Sequence, residues 1–270
     1  MQGDDGFPVE EVGSWSKEKH HLLCKYVDIT RAVRRKWLSE NGAGATYIDV
    51  FCGPGRAQVR KTGKFIDGSC VAAWKQSVKA GAPFSTVYVA DVDPQRCSFA
   101  VQRLSSLGAP VVPIRGDALV AARAIVGQVN PYGLHFAFLD PWNLGELRFE
   151  VIRTLSPLRR IDMLIHVSKM DLQRNLGFNI TGQQVAFDQF APGWRAAVNM
   201  SQSHQRIRVE VFDYWRRLVE GLGLSHSPEM RLVKGSRQQH LYWLLLVAKH
   251  DLAAQFWKSV AAQQNQPTFL

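Results

Sequence analysis

Residues 47–55 read YIDVFCGPG. Residues 47–51 have the composition of a buried strand, and residues 52–55 carry a turn signal in which two glycines flank Pro54. An acid, Asp49, sits inside the apolar run. Two readings account for this pattern. In one, the segment is a strand, a tight turn and a helix, with the glycines supplying positive φ. In the other it is a nucleotide cradle, where bare backbone approaches a ligand at the carboxyl end of a central strand. A GxG pattern alone does not separate the two, so the residues around it decide.

Upstream, residues 16–39 show a helical period. Leu22, Leu23, Tyr26, Val27, Ile29 and Val33 fall on one face, and Arg31, Arg34, Arg35 and Lys36 on the other. Downstream, SCVAAWKQSV predicts a helix with Ser69 as its N-cap. STVYVAD predicts a second strand, PQRCSFAVQRLSSLG a helix stopped by Gly108, and residues 111–114 a third strand. DALVAARAIVGQV then reads as a helix, LHFAFLD as a fourth strand, residues 149–155 as a helix and IDMLIHV as a fifth strand. Short apolar runs alternating with helices mean βαβ units and a mostly parallel sheet. The rhythm changes in MRLVKGSRQQHLYWLLLVAK, two strands joined by a short turn around Gly235-Ser236, which predicts antiparallel pairing. A parallel sheet finished by a hairpin, with helices on both faces, is the Rossmann-like class I methyltransferase form of the α/β class, not a dinucleotide dehydrogenase.

That fold gives the cradle a test. A nucleoside cofactor lying across the strand tips needs an acceptor for its ribose hydroxyls, and a carboxylate ending the second strand supplies it. Asp91 ends VYVAD, and Asp93 follows, where with Pro94 it also has the form of a helix start. Asp91 lies 36 positions after Gly55, against roughly 20 in the usual fingerprint. The excess matches RAQVRKTGKFIDG, read as an insertion at about 56–68. The third strand ends in RGDA, where Asp117 and the Ala118 amide can face an adenine, or Asp117 can cap the next helix. No Walker lysine is present for a polyphosphate, and acids lining a pocket repel phosphate. The predicted cofactor is therefore S-adenosylmethionine, held by Asp49, Phe51, Gly53, Gly55, Asp91, Asp93, Asp117 and Ala118.

The fourth strand runs into FAFLDPWN, which places Asp140, Pro141 and Trp142 at its carboxyl end. Methylating an exocyclic base amine needs an acceptor for the departing hydrogens and a face on which to stack the base. The Asp140 carboxylate, the Pro141 carbonyl and the Trp142 ring are the catalytic candidates, although a proline-stiffened turn with tryptophan as core cover has the same letters. DPPY-type amino methyltransferases carry a second proline where Trp142 stands. Cytosine C5 methylation is disfavoured, because its nucleophilic cysteine should follow the fourth strand and none occurs after Cys97.

The 270 residues are 46% hydrophobic, enough for one large core or two small ones. No apolar run reaches membrane-spanning length, the longest being residues 241–248, and the amino terminus lacks a basic start and an apolar core, so a cytoplasmic location without a leader is expected. Cys24, Cys52, Cys70 and Cys97 have no CxxC spacing, so no metal site is expected. A formal charge of +10 fits a polyanionic partner. Arg56, Arg60, Lys61 and Lys64 lie within nine residues beside the cradle and are the candidate nucleic-acid lip, or else a solvated loop.

Taken in order, WSKEKHHLLCKYV, YIDVFCGPG, GSCVAAW, FLDPW and HLYWLLLVAKHDLAAQFW give the chain its resemblance to the three-Cys-motif partner (TcmP) family, methyltransferase-like proteins of bacteria. The resemblance spans roughly residues 15–257. It implies the class I fold, S-adenosylmethionine, and a partner chain with a three-cysteine motif similar to radical SAM enzymes. Cys52 stands where a small residue is commoner in that family, and Trp142 where Tyr or Phe is. The expected organisation is an N-terminal extension and helix over 1–43, one methyltransferase-like domain over 44–257 with insertions at about 56–68 and 170–224, and a tail over 258–270. The expected activity is methyl transfer to a nucleic acid. The alternative is a non-catalytic subunit that keeps the fold and binds the cofactor or nucleic acid.

Overall fold

The computed structural model describes residues 1–235 and 239–262. Its strands in chain order are β1 (Glu10–Val12), β2 (Ala45–Asp49), β3 (Arg56–Val59), β4 (Phe65–Asp67), β5 (Thr86–Val89), β6 (Val111–Pro113), β7 (Leu134–Leu139), β8 (Ile161–Ser168), β9 (Ser225–His226), β10 (Arg231–Lys234) and β11 (His240–Ala248). The main sheet has the order β10-β11-β8-β7-β2-β5-β6, with β9 attached to β11. Strands β6, β5, β2, β7 and β8 run parallel, and β11 runs antiparallel to β8, β9 and β10. The expected parallel sheet with an antiparallel ending is the observed one, although Ser236 of the predicted turn lies outside the described residues.

Strand β2 explains the architecture. All five of its residues are buried, as parallel strands covered on both faces require. Tyr47 faces a core built with Leu22, Tyr26, Trp74, Leu104 and Trp257. Ile48 faces the opposite core, with Ile125, Leu155 and Trp215. Because β2 pairs with β5 on one side and β7 on the other, strand connections leave it in opposite directions. That switch point opens a crevice above its carboxyl end.

The structure departs from several local expectations and gives form to others. The predicted helix over 16–39 is two helices, Trp15–Ile29 and Arg31–Arg35. Thr30 turns its hydroxyl back to the Tyr26 carbonyl at 2.8 Å. Arg34, expected on the polar face, is 2% exposed and donates to Ala82 O at 2.6 Å and Val27 O at 3.0 Å. The cap of helix Ser69–Lys79 is Gly68, which frees the Ser69 hydroxyl for another partner. The stretch at 56–68 is the β3–β4 hairpin, which β1 joins to form a three-stranded sheet. The 170–224 insertion holds short helices and the long helix His204–Glu220, and it seats Phe187, Phe190, Trp194 and Trp215 in the core. Residues 258–262 continue helix Asp251–Ala262, so the described part of the expected tail is helical.

Candidate active site

At the end of β2 the chain turns through Gly53 (φ 56°) and Gly55 (φ 79°). A Cβ on Gly55 would lie 3.1 Å from Ala100 Cα, so close packing against helix Pro94–Ser106 requires glycine there. The Asp91 carboxylate crosses from the end of β5, accepting from the Gly53 amide at 3.0 Å and the Asp93 amide at 2.9 Å. Each oxygen is anchored by one backbone hydrogen and keeps a further lone pair for a ligand. Asp49 lies below the turn. It is fully buried and accepts from Ser69 Oγ at 2.6 Å, Tyr47 Oη at 3.2 Å and the Phe51 amide at 3.2 Å. Burial raises its carboxyl to about 7 against those hydrogen bonds, and the nearby Asp140 charge adds to the rise.

Above these strand tips lies a cavity of about 890 Å³, within the size range of small-molecule sites. Of the predicted residues, Phe51, Asp91, Asp117 and Ala118 line it on one side, and Asp140, Pro141 and Trp142 on the other. Asp49, Gly53, Gly55 and Asp93 do not. Asp49 and the glycines shape the floor from beneath, and Asp93 caps helix Pro94–Ser106 by accepting from the Gln95 and Arg96 amides. Asp117 also caps its helix, through Oδ1, yet it still faces the cavity. Trp142 is 77% exposed at the rim, so it is not core cover.

Asp140 is the centre of a cluster that the strand pattern did not announce. Lys19, from the first helix, donates to Asp140 Oδ2 at 2.5 Å. His166, near the end of β8, brings Nδ1 to 3.2 Å from Asp140 Oδ1. That approach is out of line for a hydrogen bond, so both buried ring nitrogens lack a hydrogen-bond partner. Tyr242 on β11 meets the His166 ring edge to face at 4.1 Å. Burial alone would push Asp140 up, but the Lys19 ammonium and His166 outweigh it and hold the carboxyl well below the usual range. Lys19, His166 and Tyr242 all line the cavity. A sequence signal did exist for His166: one imidazole interrupting the apolar run of residues 163–167.

The predicted basic lip is largely dispersed. Arg56 is held by Asp4 at 2.5 Å and Asp67 at 2.7 Å, outside the cavity. Lys61 and Lys64 are exposed and also lie outside it. Only Arg60 of the four reaches the lining, and it pairs with Glu11 at 3.2 Å. The hairpin geometry is the reason, because β3 pairs with β1 and brings the acidic amino-terminal segment alongside the arginines.

No protein-family profile matches the chain, and no curated protein matches it. Among solved structures, a Legionella pneumophila protein superposes with a TM-score of 0.52 at 11% identity, over 91% of each chain. An O-methyltransferase from Bacillus cereus, solved in complex with SAH, gives a TM-score of 0.51 at 12% identity, over 90% of this chain and 84% of that chain. The fold is the Rossmann-like methyltransferase fold. At these identities the likeness extends to the architecture, and the chemistry rests on the residues at the strand tips.

Proposed function

We propose that the protein is an S-adenosylmethionine-dependent methyltransferase. One observation carries this reading: the anchored Asp91 carboxylate opens into the same cavity as Asp140, Pro141 and Trp142. Asp91 fits ribose hydroxyls, Phe51 and Ala118 fit an adenine face, and Asp117 fits its amino group. The acids beside the cleft suit a cationic sulfonium. When bound, the cofactor supplies an electrophilic methyl group. The chain supplies the acceptor side. The Lys19 ammonium keeps Asp140 ionised, so it accepts a hydrogen bond from the incoming nucleophile without taking its proton. His166, with unpartnered ring nitrogens beside it, takes the proton. Pro141 and Trp142 position the acceptor.

The acceptor we favour is a nucleic acid, with an exocyclic base amine as the target. The charge of +10 and the exposed Trp142 ring at the cavity mouth support it. A flat base stacks on such a ring. The motif order that resembles the TcmP family adds a three-cysteine-motif, radical-SAM-like partner and a bacterial cytoplasm to the proposal. The test is calorimetry with S-adenosylmethionine, followed by transfer of its labelled methyl group to mixed DNA and RNA, with and without that partner. Asp140→Ala should lower transfer at least about 100-fold while changing cofactor affinity only a few-fold. No binding by the wild type at millimolar cofactor would refute the reading. Binding without transfer would favour the non-catalytic alternative.

A further inference from the structure

One ion pair in the cavity plays no part in the scheme above. Arg96, in the first turn of helix Pro94–Ser106, donates to Glu10 of β1 at 2.7 Å. Both side chains line the cavity. They also rest on the glycine turn: a Cβ at Gly53 would lie 3.2 Å from Glu10 Oε2 and 3.3 Å from Arg96 Nη2. Gly53 in turn donates to Asp91, so the pair adjoins the carboxylate assigned to the ribose.

Resting on that cofactor reading, the geometry points to Arg96 and Glu10 as the receptor for the amino-acid end of a sulfonium nucleoside. Arg96 takes the α-carboxylate and Glu10 the α-ammonium. A guanidinium matches a carboxylate through paired donors. An ionised Glu accepts from an ammonium. A zwitterion brings one charge of each sign, so the two residues exchange each other for the ligand and no unpaired charge is left in the cleft. Burial raises the Glu10 carboxyl while Arg96 and Lys19 lower it, so a bound ammonium would favour the ionised form. Arg60 and Glu11 also pair at the lining but are largely exposed, and the other candidate for this end is the Lys19–Asp140 pair. That pair is already engaged with His166 and lies beside Pro141 and Trp142, on the acceptor side.

The test is calorimetry of the full chain with two probes, which needs no methyl acceptor. S-adenosylhomocysteine has the amino-acid end, and 5′-methylthioadenosine keeps the nucleoside and sulfur without it. The wild type should prefer S-adenosylhomocysteine by about 10- to 100-fold. Arg96→Met should erase that preference while shifting 5′-methylthioadenosine affinity by less than about threefold. The double variant Arg96→Met with Glu10→Gln, which leaves no unpaired carboxylate, should behave the same way, and thermal melting checks its fold. A preference that survives in both variants overturns the assignment. A preference lost in Lys19→Met and kept in Arg96→Met also overturns it, by placing the amino-acid end at Asp140. If the wild type binds neither probe, the cofactor reading itself fails, an outcome distinct from the other two.

Discussion

Asp49 should make the protein less stable as the solution becomes more alkaline. Its folded carboxyl is raised from 3.8 to about 7, chiefly by burial. A raised acid stabilises the fold fully below the unfolded value, and that contribution disappears as pH climbs through the folded one. The displacement corresponds to about 4 kcal/mol, most of it lost between about pH 4 and 7. Asp49→Asn removes the ionisation and keeps the shape. Its amide oxygen can still accept from Phe51 N–H, and its NH₂ can donate to Ser69 or Tyr47, whose hydroxyls rotate to accept. Urea unfolding of both proteins from pH 4 to 8 should show the variant gaining about 4 kcal/mol on the wild type across the series. Taking the difference cancels other titrations, such as Asp162, which burial raises to about 6. A gap that stays constant with pH, or widens toward acid, refutes the reasoning.

Gly55→Ala should cost about 1–3 kcal/mol, because it adds left-handed strain to a contact 3.1 Å from Ala100 Cα. An unchanged urea midpoint would contradict it. Trp142→Ala should leave stability within about 0.5 kcal/mol, since the ring is at the surface. It should weaken binding of a single-stranded oligonucleotide by about 1–3 kcal/mol if one base stacks there. Equal fluorescence-polarisation curves would remove Trp142 from the acceptor site.

The main sheet was legible because its strands are buried on both faces and read as plain apolar runs between helix caps. The acids at the strand tips were legible as positions but not as roles, because Asp93 and Asp117 cap helices and such letters serve capping and ligand binding alike. The β3–β4 hairpin was not legible. Its strands are only four and three residues long, and their partner β1 lies far off in sequence, so charge dominated the reading of residues 56–68. The same distance hid the ion pairs that occupy Arg56, Arg60 and Arg96. Lys19 and His166 could not be joined to Asp140 from periodicity, because they reach it from a helix and from a neighbouring strand. Arg34 was misplaced because it was grouped with Arg31, Arg35 and Lys36 on a polar face, whereas its guanidinium donates to the Val27 carbonyl and to the Ala82 carbonyl, which lies far off in sequence.

The position of β11 has a consequence for how the chain assembles. Strand β8 gains its first neighbour, β7, from the residues just before it, but its other edge is filled by β11, which arrives only after the whole helical insertion. Until then the amides of a strand rich in Met163, Ile165 and Val167 stay open on one side, a surface that invites pairing with another chain. Strands β2, β5 and β6, beside whose tips Asp91 and Asp117 sit, need no such late arrival. The Asp140–His166 side does, since Tyr242 closes on His166 only when β11 docks. The half of the cleft that holds Asp91 can therefore form early from nearby segments, whereas the half that holds His166 depends on a long-range closure, the slow kind of folding step.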